Sequence, residues 1–248
     1  MLIKTGFCVQ EGLKAPLFVN FRENPHWLIS GCSGSGKSVL LQYLLNSLLN
    51  DSVEIFFCDP KGSGDFQGVT QNYAQYDDCV EMIEKVYEKY LEIKMQRTGK
   101  RIILVCDEYP AFILRLEGID KKRAAAVKNK ISELLMQGRA LPGGGSVAVW
   151  LVCQRADAEY FPRGARLNMM VVIAMGQLDV QTKTMLFPGE ELPSYEAITG
   201  TGLIKINGQP IRVLRVPEIN LKKLKGLLRE KARIRSSVTA TSDPEGGT

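Results

Sequence analysis

The chain has 248 residues, 45% hydrophobic and 24% charged, a balance typical of folded globular proteins that sets aside a disordered or fibrous one and leaves room for one large α/β domain. Lys and Arg outnumber Asp and Glu by 32 to 27, a net charge of +5 that permits a polyanionic partner without requiring one. A single histidine, His26, and six cysteines without a C-x-x-C pair exclude a His-rich zinc site and predict reduced core thiols in a cytoplasmic protein. The first residues lack the features of a secretory signal. No window approaches the roughly 20 apolar residues of a membrane span, so any membrane contact is expected to come through a separate partner.

In chain order, residues 1–24 alternate apolar and polar positions around Glu11-Gly12, which predicts an N-terminal β-hairpin or strand pair. Five short apolar runs follow: His26–Ser30, Val53–Cys58, Ile102–Cys106, Val147–Cys153 and Met170–Ala174. They read as interior parallel strands. Between them lie helical segments at Ser38–Leu49, Asp77–Arg97, Lys121–Ala140 and Asp179–Phe187. In the second, Val80, Ile83, Val86, Tyr87, Tyr90, Leu91 and Lys94 form the stripe predicted to cover a sheet. Leu203–Ile206 and Ile211–Val216, split by Asn207-Gly208-Gln209-Pro210, predict a closing hairpin. A basic amphipathic stretch, Leu221–Arg235, leads to a polar tail, Ser236–Thr248, expected to be disordered. The reading is an α/β fold in three parts: an extension at 1–24, a motor domain at 25–217, and a basic helix with tail at 218–248.

The strongest signal is Gly31-Cys32-Ser33-Gly34-Ser35-Gly36-Lys37-Ser38, which satisfies G-x-x-x-x-G-K-[ST] between an apolar strand and the helical run that opens at Val39. Glycines let the backbone curl so that its N–H groups point at phosphates, and the helix that follows adds its positive end. These residues, Gly31 through Val39, are the expected ATP-binding segment. Lys37 would bridge the β- and γ-phosphates, and Ser38 would ligate Mg²⁺. A second apolar strand ends in Asp107-Glu108, the form of a Walker B motif. There Asp107 would hold magnesium through water and Glu108 would orient or deprotonate the attacking water. Gln154, at the end of another strand, is placed to contact the γ-phosphate or that water.

The segment Asn24–Ser38 closely resembles the Pro-His-strand-Walker A region of the FtsK/SpoIIIE group of the FtsK–HerA ATPases. Asp59-Pro60-Lys61-Gly62, Asp107-Glu108, Gly138-Arg139-Ala140 and Gln154-Arg155 resemble that group's later motifs in the same order. The likeness covers about residues 24–216. It implies a RecA-like P-loop NTPase core, a mostly parallel sheet flanked by helices, working as a homo-oligomeric, commonly hexameric, ring that moves a polymer, usually double-stranded DNA. The stretch from Gln154 to Tyr160, with Arg166 and Gly176, is most similar to the TcpA-like coupling ATPases of conjugative elements. Neither a long N-terminal membrane region nor a C-terminal winged helix is present in these residues. The resemblance therefore implies a motor core beside a separate membrane-anchor or relaxosome partner.

A ring ATPase draws a cation from its neighbour; Arg139 and Arg166 are the two choices for it, and Arg155 is read as structural or substrate-facing. Lys121-Lys122-Arg123, with Lys128 and Lys130, would either reach DNA phosphates or form the solvated face of a helix. The basic stretch from Lys222 to Arg235 would meet DNA, an acidic membrane surface or a protein. Asp59 and Lys61 leave the second strand on the phosphate-loop edge, where they would support the nucleotide or a subunit contact, or make an ordinary turn. The expected function is that of an ATP-driven DNA translocase or coupling motor of a mobile element. The alternatives are a type VII secretion-like export ATPase and a viral or phage-satellite packaging ATPase.

Overall fold

The structure is a computed structural model that describes residues 1–10, 13–50, 52–156, 158–161 and 166–240. Its strands are β1 (Leu2–Gln10), β2 (Leu13–Asn20), β3 (Trp27–Gly31), β4 (Val53–Asp59), β5 (Asn72–Gln75), β6 (Arg101–Cys106), β7 (Ser146–Cys153), β8 (Val171–Met175), β9 (Thr201–Ile206) and β10 (Arg212–Arg215). The helices are α1 (Lys37–Leu48), α2 (Asp78–Gln96), α3 (Tyr109–Ile119), α4 (Lys121–Gln137), α5 (Val180–Leu186) and α6 (Leu221–Ala240). All ten strands join one sheet in the order β2-β1-β10-β9-β8-β3-β7-β6-β4-β5. From β8 to β5 neighbouring strands run parallel. The remaining pairs are antiparallel, because the two terminal hairpins add to the edge of the parallel part.

Strand alternation sorts side chains onto two faces. Leu28, Phe56, Leu104 and Leu151 meet α2, α3 and α4. Ile29, Phe57, Val105 and Trp150 meet α1 and α6. At the centre of the second face Trp27 stacks on Trp150 with ring centroids 4.5 Å apart. Their indole N–H groups donate to the carbonyls of Asn24 (2.7 Å) and Pro25 (3.1 Å), so these large rings are buried without stranding a donor. Cys58, Cys79, Cys106 and Cys153 are buried in the first face, and among the described residues no cysteine is in a disulfide.

Two elements went unread in the sequence: the short edge strand β5, and α3, whose buried Tyr109, Phe112, Ile113 and Leu116 follow helical spacing. Helix α4 stops at Gln137, short of the expected Ala140, because the Gly138 carbonyl accepts from the Val147 amide at 2.8 Å and turns the chain into β7. In α2, Leu91 faces outward and Ile93 takes the buried position instead. Helix α6 continues beyond Arg235 to Ala240, so Ser236–Ala240 are helical rather than part of a tail. The Glu11-Gly12 turn and residues 241–248 lie outside the described residues.

Candidate functional site

Parallel strands deliver their C-terminal ends to one edge, and β3, β4, β6 and β7 bring Gly31, Asp59, Asp107-Glu108 and Gln154 there. Between β3 and α1 the chain makes the tight turn 32–36. Gly31 has φ 154°, and a Cβ there would lie 2.6 Å from the Met175 carbonyl oxygen, so only glycine fits between β8 and the turn. Gly36, at φ 97°, caps α1 against the Gly200 backbone. The loop before β9 grips the turn from outside: Gly200 N–H donates to the Ser35 carbonyl (3.0 Å) and the Thr199 hydroxyl to that of Gly34 (3.1 Å). With those carbonyls engaged, the start of α1 offers amide donors and its dipole to an anion. The Lys37 ammonium lies across the mouth, donating to the carbonyls of Gly31 and, at 3.2 Å, Cys32.

The acidic pair sits beside it. Asp107 N–H continues the β4–β6 ladder by donating to the Cys58 carbonyl (3.0 Å), and the Glu108 amide donates to Asp107 Oδ1 (3.0 Å). Burial, then the Glu108 charge and more weakly that of Asp59, push the Asp107 pKa up to about 6, against the pull of Lys37. Glu108 adopts left-handed backbone at φ 46°, a conformation that costs a non-glycine residue on the order of 1 kcal/mol. That turn launches α3 and lets the Glu108 carboxylate accept from Gln154 Nε2 at 3.0 Å. Ser30 holds the Gln154 carbonyl in turn (3.4 Å). Glu108 and Gln154 line a cavity of about 440 Å³ together with Cys32, Arg155, Gln177 and Asp179.

These residues suit a magnesium nucleotide. Three carboxylates, Asp59, Asp107 and Glu108, crowd one strand edge with Lys37 as the cation acting on Asp107, and such crowding is relieved by a divalent ion. Among the described residues no group of three or more His, Cys, Asp or Glu side chains forms a metal cage of its own. Magnesium is ordinarily held by one or two carboxylates plus substrate phosphates.

Arg139, one of the two arginines proposed to act across a subunit boundary, is not with this group. Arg139 is exposed in the turn between α4 and β7, at the edge where the parallel strands begin. Its charge is felt at His26, which precedes β3. It therefore lies across the sheet from its own phosphate loop. Arg166 opens the short 3-10 turn Arg166–Asn168 before β8. Arg155 lies at the cavity, 3.9 Å from Asp179.

Three of the basic residues considered for DNA contact on α4 are already paired: Arg123 with Glu81 (2.5 Å), Lys128 with Glu117 (2.6 Å) and Lys130 with Glu84 (3.1 Å). They tie α4 to α2 and α3, which favours the solvated-face alternative for this segment. On α6, Lys225 meets Asp65 (2.8 Å), Arg229 Nε donates to the Gln67 carbonyl (3.4 Å) and Lys231 donates to Asn46 Oδ1 (2.7 Å). The sequence held no local sign of the clasp by residues 199–200, because it joins segments more than 160 positions apart.

Fold and edge together define a P-loop nucleoside triphosphatase. Residues 5–88 match the FtsK/SpoIIIE family. Over 186 residues the chain is 25% identical to YdcQ, an FtsK domain-containing protein of Bacillus subtilis (strain 168), covering 67% of this chain and 37% of YdcQ. The fold is similar to that of EssC (ATPases 2 and 3) from Geobacillus thermodenitrificans, with a TM-score of 0.72 and 16% identity over 98% of this chain and 50% of that one. It is equally similar to the pCW3 conjugation coupling protein TcpA, solved in a monomer form with ATPγS, with a TM-score of 0.71 and 20% identity over 92% of this chain and 70% of that one. Residues 5–88 are thus similar to the FtsK/SpoIIIE family, and the fold to that of ATPases. The chain spans about a third of YdcQ and half of the EssC chain. Among the described residues no helix is long and apolar enough to cross a membrane.

Proposed function

We propose that the chain is the ATP-hydrolysing motor of a DNA translocase, a coupling ATPase of a mobile or conjugative element that works as a homo-oligomeric ring on double-stranded DNA. In this reading the loop Gly31–Ser38 holds the ATP phosphates. Ser38 and Asp107 hold Mg²⁺, which neutralises charge on the β- and γ-phosphates when bound. Glu108 takes a proton from the attacking water, and Gln154 keeps that carboxylate oriented. The observation that carries the hydrolytic assignment is the 3.0 Å contact between Gln154 Nε2 and Glu108 Oε1, which fixes the carboxylate beside the phosphate loop. Lys37 is held within the same mouth.

Arg139 supports a ring. An arginine on the far edge of the sheet from its own phosphate loop serves a nucleotide only in the next subunit, as a head-to-tail contact provides. The likeness to a conjugation coupling protein favours DNA as the polymer, and the EssC fold is matched equally well, so the substrate decides between coupling and export.

The test is the ATPase rate with double-stranded DNA, single-stranded DNA, unfolded polypeptide and no polymer. Glu108→Gln serves as the control that binds ATP without turning it over. We expect stimulation by double-stranded DNA that declines steeply with salt, as counterion release requires. Stimulation by polypeptide alone would move the assignment to export. DNA-stimulated hydrolysis at the normal rate by Glu108→Gln would remove that residue from its role.

A further inference from the structure

Asp59 ends β4, beside the strand that delivers Asp107. Cys58 is in register with Cys106, and the Asp107 amide donates to the Cys58 carbonyl, so Asp59 and Asp107 occupy neighbouring strand ends, about 5 Å apart by ordinary strand spacing. Alternation sets Asp59 on the side of Phe57, the face covered by α1, and α1 opens with Lys37 and Ser38.

The side chain is fully buried, and its two oxygens are served unequally. Oδ2 accepts three hydrogen bonds, from the Tyr73 hydroxyl (2.6 Å), the Gly64 amide (3.0 Å) and the Ser63 hydroxyl (3.1 Å). Oδ1 has no partner among the described residues. Leaving a buried carboxylate oxygen unmet is costly. Burial disfavours the charge, but the bonds from Tyr73, Gly64 and Ser63 together hold the pKa below its ordinary value. Asp59 is thus an anion whose rotation is locked through one oxygen while the other is kept unengaged. The donor loop is itself anchored: Phe66 stacks on Phe57 at 4.5 Å, and Asp65 is held by Lys225 of α6. A turn needing only a cap would not require a carboxylate fixed from three directions.

We infer that Asp59 is a positioning residue of the magnesium–nucleotide site, its free Oδ1 accepting a hydrogen bond from a water of the magnesium shell while Asp107 serves the ion from the adjacent strand. The inference rests on the ATPase reading above. Magnesium gives up its waters reluctantly and keeps several in protein sites. A second carboxylate one strand away therefore acts on the shell, and outer-shell partners of this kind typically contribute about 10- to 100-fold in metal affinity.

The test uses the full chain with a non-hydrolysable ATP analogue and Mn²⁺ as the probe, free Mn²⁺ being read by electron paramagnetic resonance and the nucleotide by fluorescence. Asp59→Asn keeps the shape and removes the charge. It should weaken Mn²⁺ binding in the ternary complex by about tenfold and leave nucleotide affinity in EDTA unchanged. Tyr73→Phe, which removes one of the three donors, should shift Mn²⁺ affinity in the same direction by less, and it carries the test if Asp59→Asn does not fold. Unchanged Mn²⁺ affinity in a folded variant, or an equal loss of nucleotide affinity with and without metal, would overturn the inference and make Asp59 a loop anchor. A wild-type protein that bound no metal–nucleotide would overturn the ATPase reading itself, and this inference with it.

Discussion

Asp107 and His26 are both buried, and burial acts on them in opposite directions. The Asp107 pKa is raised to about 6 by burial, then by Glu108 and Asp59. That of His26 is lowered to about 4 by burial, then by Arg139, with its Nδ1 accepting from the Val149 amide (3.2 Å). Folded Asp107 binds its proton more tightly than the unfolded chain does, so its contribution to stability falls as pH rises from about 4 to about 6. His26 resists protonation, so its contribution falls as pH drops from about 6.5 towards 4. The two oppose each other in the same window, and a plain pH–stability curve hides both. Asp107→Asn separates them: without metal it should be more stable than wild type at pH 7.5, by on the order of 3 kcal/mol, and the difference should largely vanish near pH 4. Thermal melts at the two pH values check this, and an unchanged difference would mean that Asp107 is not strained by its neighbours.

The elements are held by close backbone approaches as much as by apolar stripes, and Gly138 is the clearest case. A Cβ there would lie 2.5 Å from the Leu134 carbonyl oxygen and 2.6 Å from that of Val147. Alanine would gain up to about 1 kcal/mol of helix propensity, but forcing these backbones apart costs about 1–3 kcal/mol. Gly138→Ala should therefore lose about 2 kcal/mol or less net, read by urea denaturation, and a stabilised variant would contradict the packing. This glycine also shows what sequence could and could not tell. The strands and the phosphate loop were legible because buried parallel strands are continuous apolar runs and because the loop's chemistry is written in adjacent residues. Helix α3 was missed although Tyr109, Phe112, Ile113 and Leu116 carry its stripe; Pro110 stands in its first turn, where proline is tolerated. Strand β5 is four residues, Asn72–Gln75, too short and polar to signal itself. The Gln154–Glu108 contact and the unmet oxygen of Asp59 depend on strand order, which no local pattern reports.

At the scale of the whole molecule, the phosphate loop and Arg139 occupy opposite edges of one sheet, a polarity suited to head-to-tail assembly. If Arg139 serves the neighbouring nucleotide, two inactive proteins should complement each other. Arg139→Ala keeps an intact nucleotide site, and Lys37→Ala keeps an intact arginine, so mixed rings contain interfaces with both. Mixing the two variants should restore part of the ATPase activity that each lacks alone, as measured by phosphate release across mixing ratios. Full activity in Arg139→Ala alone would pass that role to Arg166 or to another cation. The loop at Lys37 and the acidic pair at Asp107 should meet one magnesium triphosphate. Equilibrium titration of fluorescent ATP with Mg²⁺ into wild type and Lys37→Ala tests this most directly. Saturable binding by wild type and its loss in the folded variant is the predicted result; equal affinity in the two, or none in wild type, would contradict it.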